Sequence, residues 1–270
     1  LHIIKLGAAF VLAGLLNSGA EFLIRTFINN VDGLDEVGFF NAGWTLAVVY
    51  AGLVFSAMDA DYYPRLSSIT SDITEQNDCV NKQIEMNVLL VSPILALMLL
   101  GLPIGIPLLY DSDFMVILRM TQLALVSMLW KAIYIPVEYL PLSKGQSWVF
   151  LVQESACVLL LITCEVVGYH YLRLNGLGLG ILVAYFVETI GVLVYSKSYY
   201  SFRLSRMVVM GILPHALFLS GMVAWIFMDV PTWCYWLVGI AYATVHLLYS
   251  LRELKKKTNV LDVLARKLRK

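Results

Sequence analysis

A small set of ionisable and amide side chains stands inside otherwise apolar stretches, and these residues set the chemistry open to the chain. Asn17, Glu21 and Arg25 recur at i, i+4 and i+8, so a helix carries them as one polar stripe. Ser127, Lys131, Tyr134 and Glu138 make a second stripe. Glu154 and Glu165 share a face of a third segment, and Glu188 lies midway along a fourth. Placing one such charge at the centre of a bilayer costs at least about 2.5–3.5 kcal/mol on insertion scales. Two arrangements meet that cost. The charges can pair off as structural bridges, or snorkel to the interface as Arg25 can from near its helix end. Alternatively, several striped helices can surround a hydrated cavity, which suits the deeper Glu21, Lys131 and Glu188. The candidate cavity residues are Asn17, Glu21, Arg25, Lys131, Glu138, Glu154 and Glu188.

Lys131 is the one lysine or arginine well inside an apolar span, and it lies at a depth similar to Glu154 on the next one. The two segments are joined by a short turn and are expected to be antiparallel neighbours. Either Glu154 neutralises the ammonium, or a hydrated cavity keeps it free for an anionic solute.

No metal or cofactor is expected. His2, His170, His215 and His246 are scattered without partners at ligand spacing, which favours structural or interfacial roles. Cys79, Cys157, Cys164 and Cys234 fit neither a disulfide framework nor a zinc site, and Cys157 and Cys164 read as small packing residues of one helix.

The elements that must position these groups follow from composition. Hydrophobic residues make up 60% of the chain and charged residues 14%, and the mean hydropathy is +0.78. These values exclude an ordinary soluble domain, and a formal net charge of zero offers nucleic acid no global attraction. A roughly 30 Å hydrocarbon core takes about twenty helical residues. Spans are expected at 6–28, 38–58, 87–110, 114–140, 148–168, 176–195, 208–228 and 233–251. The expected fold is therefore an all-α polytopic membrane protein of about eight transmembrane helices. Residues 1–251 form the membrane domain and 252–270 a basic amphipathic cytoplasmic tail, which reads as a positive-inside anchor on membrane lipids or as a recognition element for an anionic lipid or partner.

The joints carry their own signals. Residues 29–36 read as an acidic turn. Met58-Asp-Ala-Asp-Tyr-Tyr-Pro-Arg65 reads as a membrane exit, with Tyr62 and Tyr63 in the headgroup zone and Pro64 ending the helix. Residues 65–85 suit an interfacial helix, and Pro93, Pro103 and Pro107 should kink or break the third span. Lys5, Arg65, Lys82, Lys144, Lys197, Arg203, Arg206 and the tail fall on one side, whereas the opposite turns carry Asp32, Asp35, Glu36, Asp111, Asp113 and Asp229. The positive-inside rule makes the first side, and both ends, cytoplasmic.

The run Asp61-Tyr-Tyr-Pro-Arg-Leu-Ser67 after an apolar helix, with Asn175-Gly176-Leu-Gly178-Leu-Gly180 opening a later one, resembles the polysaccharide flippases of the MOP exporter superfamily over most of residues 6–197. The resemblance implies the second half of a MOP/MATE-like two-bundle transporter in the cell inner membrane. It also implies a cytoplasmic Tyr-Tyr-Pro-Arg exit and lipid-linked oligosaccharide (the O-antigen or capsule repeat unit) as substrate. The chain then reads as a segment of something longer, its partner being an N-terminal helix bundle of the same protein. Leu1 is not methionine, and residues 1–10 lack the basic start and cleavage site of a signal peptide. A cation-coupled small-molecule or drug exporter of the same architecture, with Glu188 or Glu21 as coupling carboxylate, is the alternative. An enzyme of polysaccharide assembly is disfavoured because the outer loops are too short to build a catalytic face.

Overall fold

The computed structural model describes residues 2–69, 72–228 and 230–257, with side chains from residue 7 onward. All regular structure among the described residues is helical: α1 (His2–Asp32), α2 (Leu34–Trp44), a π turn (Thr45–Val49), α3 (Tyr50–Ser68), α4 (Ile73–Leu109), a 3-10 turn (Ser112–Ile117), α5 (Leu118–Ser143), α6 (Ser147–Tyr199), α7 (Arg206–Ile226) and α8 (Thr232–Lys257). Seven of the described helical stretches are long and apolar enough to cross a membrane, with α2, the π turn and α3 counting as one. Large apolar side chains such as Leu15, Phe22, Leu53, Leu159 and Leu217 project outward, as lipid-facing positions of a multi-pass membrane protein must.

α6 supplies two of the expected spans. Its 53 residues are interrupted at Arg173, where φ is 54° and ψ −137°. The chain folds back there: the Gly168 and Gly176 backbones lie against each other, as do those of Cys164 and Gly180. The limbs 147–172 and 174–199 therefore form an antiparallel hairpin, and the loop expected between the fifth and sixth spans shrinks to one strained residue. Such a backbone outlier costs about 1–3 kcal/mol. An ion pair from Arg173 to Asp32 and the Arg173 guanidinium 5.7 Å from the Tyr169 ring centre hold it. With α6 divided into two limbs of 26 residues each, the described chain holds eight helical segments of membrane-crossing length.

Several expected joints are corrected. The acidic turn contracts to Gly33 at φ 92°, because Asn29–Asp32 stay in α1 and Leu34–Glu36 open α2. Pro64 does not end its helix, since α3 runs on to Ser68. Its missing N–H orphans only the carbonyl four residues back, at the exposed Ala60. Tyr62 is no headgroup anchor: it is fully buried and its hydroxyl donates to the Pro136 carbonyl at 2.7 Å. Among the described residues of 65–85 no separate interfacial helix forms. Asp72 caps a new helix by accepting from the backbone N–H of Thr74 and Glu75 at 2.8 and 3.2 Å, and that helix continues unbroken as α4.

α4 also passes through Pro93, Pro103 and Pro107. Neighbouring helices explain part of this tolerance. Pro93 frees the Leu89 carbonyl, which accepts from the Ser250 hydroxyl of α8. Pro136 in α5 likewise frees Ala132, whose carbonyl accepts from Asn87 Nδ2 at 3.3 Å. An orphaned carbonyl in hydrocarbon is costly, and a side chain from a packed neighbour removes that cost.

The polar interval at the start of α4 ties one end of the bundle together. Asn81 Nδ2 donates to the Arg203 carbonyl at 2.9 Å, Asn77 accepts from Arg203 N–H at 3.0 Å, and Lys144 donates to Gln76 at 2.9 Å. Lys257 pairs with Glu85 at the same end. The opposite end joins Asp32 to Arg173, stacks Tyr110 on Phe114 at 5.0 Å and lays Arg119 over Phe227 at 4.0 Å. The basic and acidic turns thus sort to two ends of the molecule. Ser71, Asp229 and residues 258–270 of the expected tail lie outside the described residues.

Cysteines replacing the exposed Asp35, Glu75, Asp113 and Lys197, on a background without the native four, test which end is cytoplasmic. An impermeant maleimide applied to intact cells is expected to label positions 35 and 113 alone. Labelling at 75 and 197 alone reverses the orientation, and a mixed pattern breaks the eight-pass arrangement.

Candidate functional site

Three helices bring their polar stripes to one place. Lys131, Tyr134 and Glu138 lie on successive turns of α5, Glu154 and Cys157 on the first limb of α6, and Tyr185 and Glu188 on the second. α1 closes the fourth side with Asn17, and α3 adds Ser56. Together they line a cavity of about 500 Å³. The close glycine packing of the α6 hairpin is what sets Glu154 and Cys157 opposite Glu188 across its two limbs.

A smaller cavity of about 140 Å³ adjoins it, lined in part by Glu21, Glu165, Phe40 and Trp44. Asn17, Lys131, Leu161 and Tyr185 line both spaces, so Lys131 stands in the wall they share.

The first stripe is divided along α1. Asn17 Nδ2 donates to Glu154 Oε2 at 3.2 Å. Glu21 lies one turn on, at the smaller cavity. Arg25 lines neither: it reaches Glu21 at 2.8 Å and donates to Asn41 of α2 at 2.7 Å, making a local structural pair. Glu138 and Glu188 are buried beside the main cavity, and Glu138 Oε1 has no hydrogen-bond partner among the described residues. Glu165 Oε1, at the smaller cavity, is likewise unpartnered.

Among the described residues no carboxylate lies within 4.0 Å of Lys131, so it forms no close pair with Glu154. Its ammonium sits 5.1 Å from the Tyr185 ring centre instead. A ring face attracts a cation by its quadrupole without consuming the charge. No close ion pair therefore holds the ammonium, which lines the cavity beside Tyr185.

Sequence reasoning did not single out Cys157 or Tyr185 for the site. Each stands three residues from a named glutamate, Glu154 or Glu188, and so on the same helical face. Asp59 was read as part of the membrane exit, yet it accepts from the Tyr139 hydroxyl at 3.2 Å, against the cavity wall.

Two histidines are not scattered. His215 of α7 and His246 of α8 meet at Ser92 of α4, where the hydroxyl lies 2.7 Å from His215 Nδ1 and 3.3 Å from His246 Nε2, with the two nitrogens 3.0 Å apart. Phe218 stacks on His246 at 4.7 Å. All three polar residues are buried. α7 and α8 pack chiefly on α4 and on each other, so this cluster fastens the last two helices to the bundle. None of its residues lines the cavity formed by α1, α3, α5 and α6.

No protein-family profile, no curated protein and no solved structure matches the chain.

Proposed function

We propose that the chain is one bundle of an inner-membrane transporter that translocates a lipid-linked oligosaccharide by alternating access. The observation that carries this reading is Lys131, an ammonium without a close carboxylate partner, in the wall common to two polar cavities. In this reading Lys131 attracts the diphosphate of the head group, Asn17, Glu138, Glu154 and Glu188 meet sugar hydroxyls, and the prenyl tail stays among membrane lipids. The reading includes no enzymatic step.

Rocking requires a second bundle across the cavity, opposite α5 and α6, against the exposed side of α1 that carries Asn17. Residues 1–270 alone are therefore expected not to complement a strain lacking its own flippase. The same chain extended upstream by about six helices should complement it. Complementation by the shorter chain would sink the two-bundle mechanism.

A second reading has its own observation. Glu138, Glu154 and Glu188 outnumber Lys131 around the main cavity, which favours a cationic solute and a cation-coupled small-molecule exporter. Reconstitution of the chain extended upstream separates the two. Turnover of lipid-linked oligosaccharide supports the first, and ion-dependent movement of a small organic cation without any lipid substrate supports the second.

A further inference from the structure

The carboxylates that make the cavity acidic also converge on one point. Glu138 of α5, Cys157 of the first α6 limb and Glu188 of the second each offer a ligand atom, and these three atoms lie within 4.8 Å of one another. Glu138 and Glu188 are only 6% and 7% exposed. Glu138 Oε1 is buried with no hydrogen-bond partner among the described residues. A buried carboxylate oxygen without a donor is costly, and either a cation or a proton would satisfy it.

Three features favour the cation. Lys131, the ammonium that lines the cavity, stands more than 4.0 Å from every carboxylate among the described residues and does not fill the role. Ionised, Glu138, Glu154 and Glu188 carry three negative charges against the one positive charge of Lys131, and with the Cys157 thiolate the surplus is three, which a divalent ion reduces to one. The third ligand is a thiol, which a shared proton between two carboxyl groups would not need.

We propose that Glu138, Cys157 and Glu188 form a binding site for a divalent cation of the zinc class, with its fourth position open to the cavity. Mixed sulfur and oxygen ligands suit a borderline-soft ion such as Zn²⁺ or Co²⁺, whereas Mg²⁺ and Ca²⁺ take six or more oxygens. Ligand atoms around a tetrahedral ion sit roughly 3.3–3.8 Å apart for bonds of about 2.0–2.3 Å. The side-chain ends must close by about an ångström, well within rotation about their terminal bonds. The backbones that present them are held by the α6 hairpin and its packing on α5. Binding releases the Cys157 proton to water and oxidises nothing.

Cobalt is the probe, because a bound thiolate gives it a charge-transfer band that carboxylates alone do not. Co²⁺ titrated into the purified full chain in lipid nanodiscs is expected to bind at one equivalent with that band. Cys157→Ser should remove the band, while Cys164→Ser, two turns further along the same limb and not among the three ligands, should keep it. Glu138→Gln and Glu188→Gln should each raise the Kd about tenfold or more, since even the loss of an outer-shell partner costs that much. Size exclusion and tryptophan fluorescence report whether each variant is folded. If the wild-type chain shows no cobalt band, the two glutamates share a proton instead and the proposal fails. It fails equally if the band survives Cys157→Ser. The spectrum reads the site whether or not the chain carries a lipid-linked sugar, so the two proposals fall separately.

Discussion

In the chain extended upstream by about six helices, replacing Lys131 by alanine is expected to leave the protein folded and to cut transport of a lipid-linked oligosaccharide to background. The ammonium has no carboxylate within 4.0 Å among the described residues, so its removal breaks no close ion pair. Removing one partner of a tight buried pair would instead cost about 3–5 kcal/mol. What is lost is a charge-assisted contact to the diphosphate, about 1.5–3 kcal/mol, or roughly tenfold to more than a hundredfold in binding. Lys131→Arg keeps the charge and should restore part of the activity, because guanidinium also binds phosphate but with a planar fork. The swap of Lys131→Glu with Glu154→Lys moves the cation to the wrong limb and should not rescue. Thermal stability and initial transport rates in the same reconstituted preparations decide the matter. A well-folded Lys131→Ala protein with full transport refutes the assignment, and a rescued swap shows a structural pair instead.

The largest effect on folding is expected at the hairpin. A Cβ on Gly176 would sit on the carbonyl of Gly168, and one on Gly168 would sit on the carbonyl of Gly176. Both neighbours are backbone, so no flexible side chain can swing away. Gly176→Leu should therefore destabilise by about 3 kcal/mol or more, above the usual range for overpacking. It should splay the two limbs and separate Glu154 and Cys157 from Glu188. Gly191→Ala is the matched control: it lies on the second limb with nothing within 4 Å of its Cβ position, and should change stability by less than about 1 kcal/mol. Thermal unfolding and the monodisperse yield after extraction give the readout. A Gly176→Leu protein as stable as wild type would show that the limbs do not pack this closely.

Some of this molecule is written along the chain. The apolar stretches and their lengths locate the passes, because crossing a bilayer depends on a local count of apolar residues. The basic and acidic turns sort to opposite ends for the same reason: charge bias is a property of each short segment. The stripes of α1 and α5 were visible because helical period alone puts Asn17 beside Glu21, and Lys131 beside Glu138.

What the stripes face was decided by tertiary packing. Arg25 belongs to the same stripe as Asn17, yet Asn41 on α2 draws it into a structural pair while Asn17 reaches Glu154. Pro64 and Pro93 read as helix breakers, and Pro136 lies inside an expected span, near its end. Nothing local shows that Ser250 and Asn87 stand ready to satisfy the carbonyls freed by the last two. His215 and His246 are thirty-one residues apart on different helices and meet only because both pack on Ser92. Cys157 joins Glu138 and Glu188 only through the fold-back at Arg173, whose positive φ no arginine signals by type. Periodicity and charge act within one segment. Contacts between residues far apart in the chain depend on how the close backbone approaches, here Gly168 on Gly176, set each helix against its neighbour.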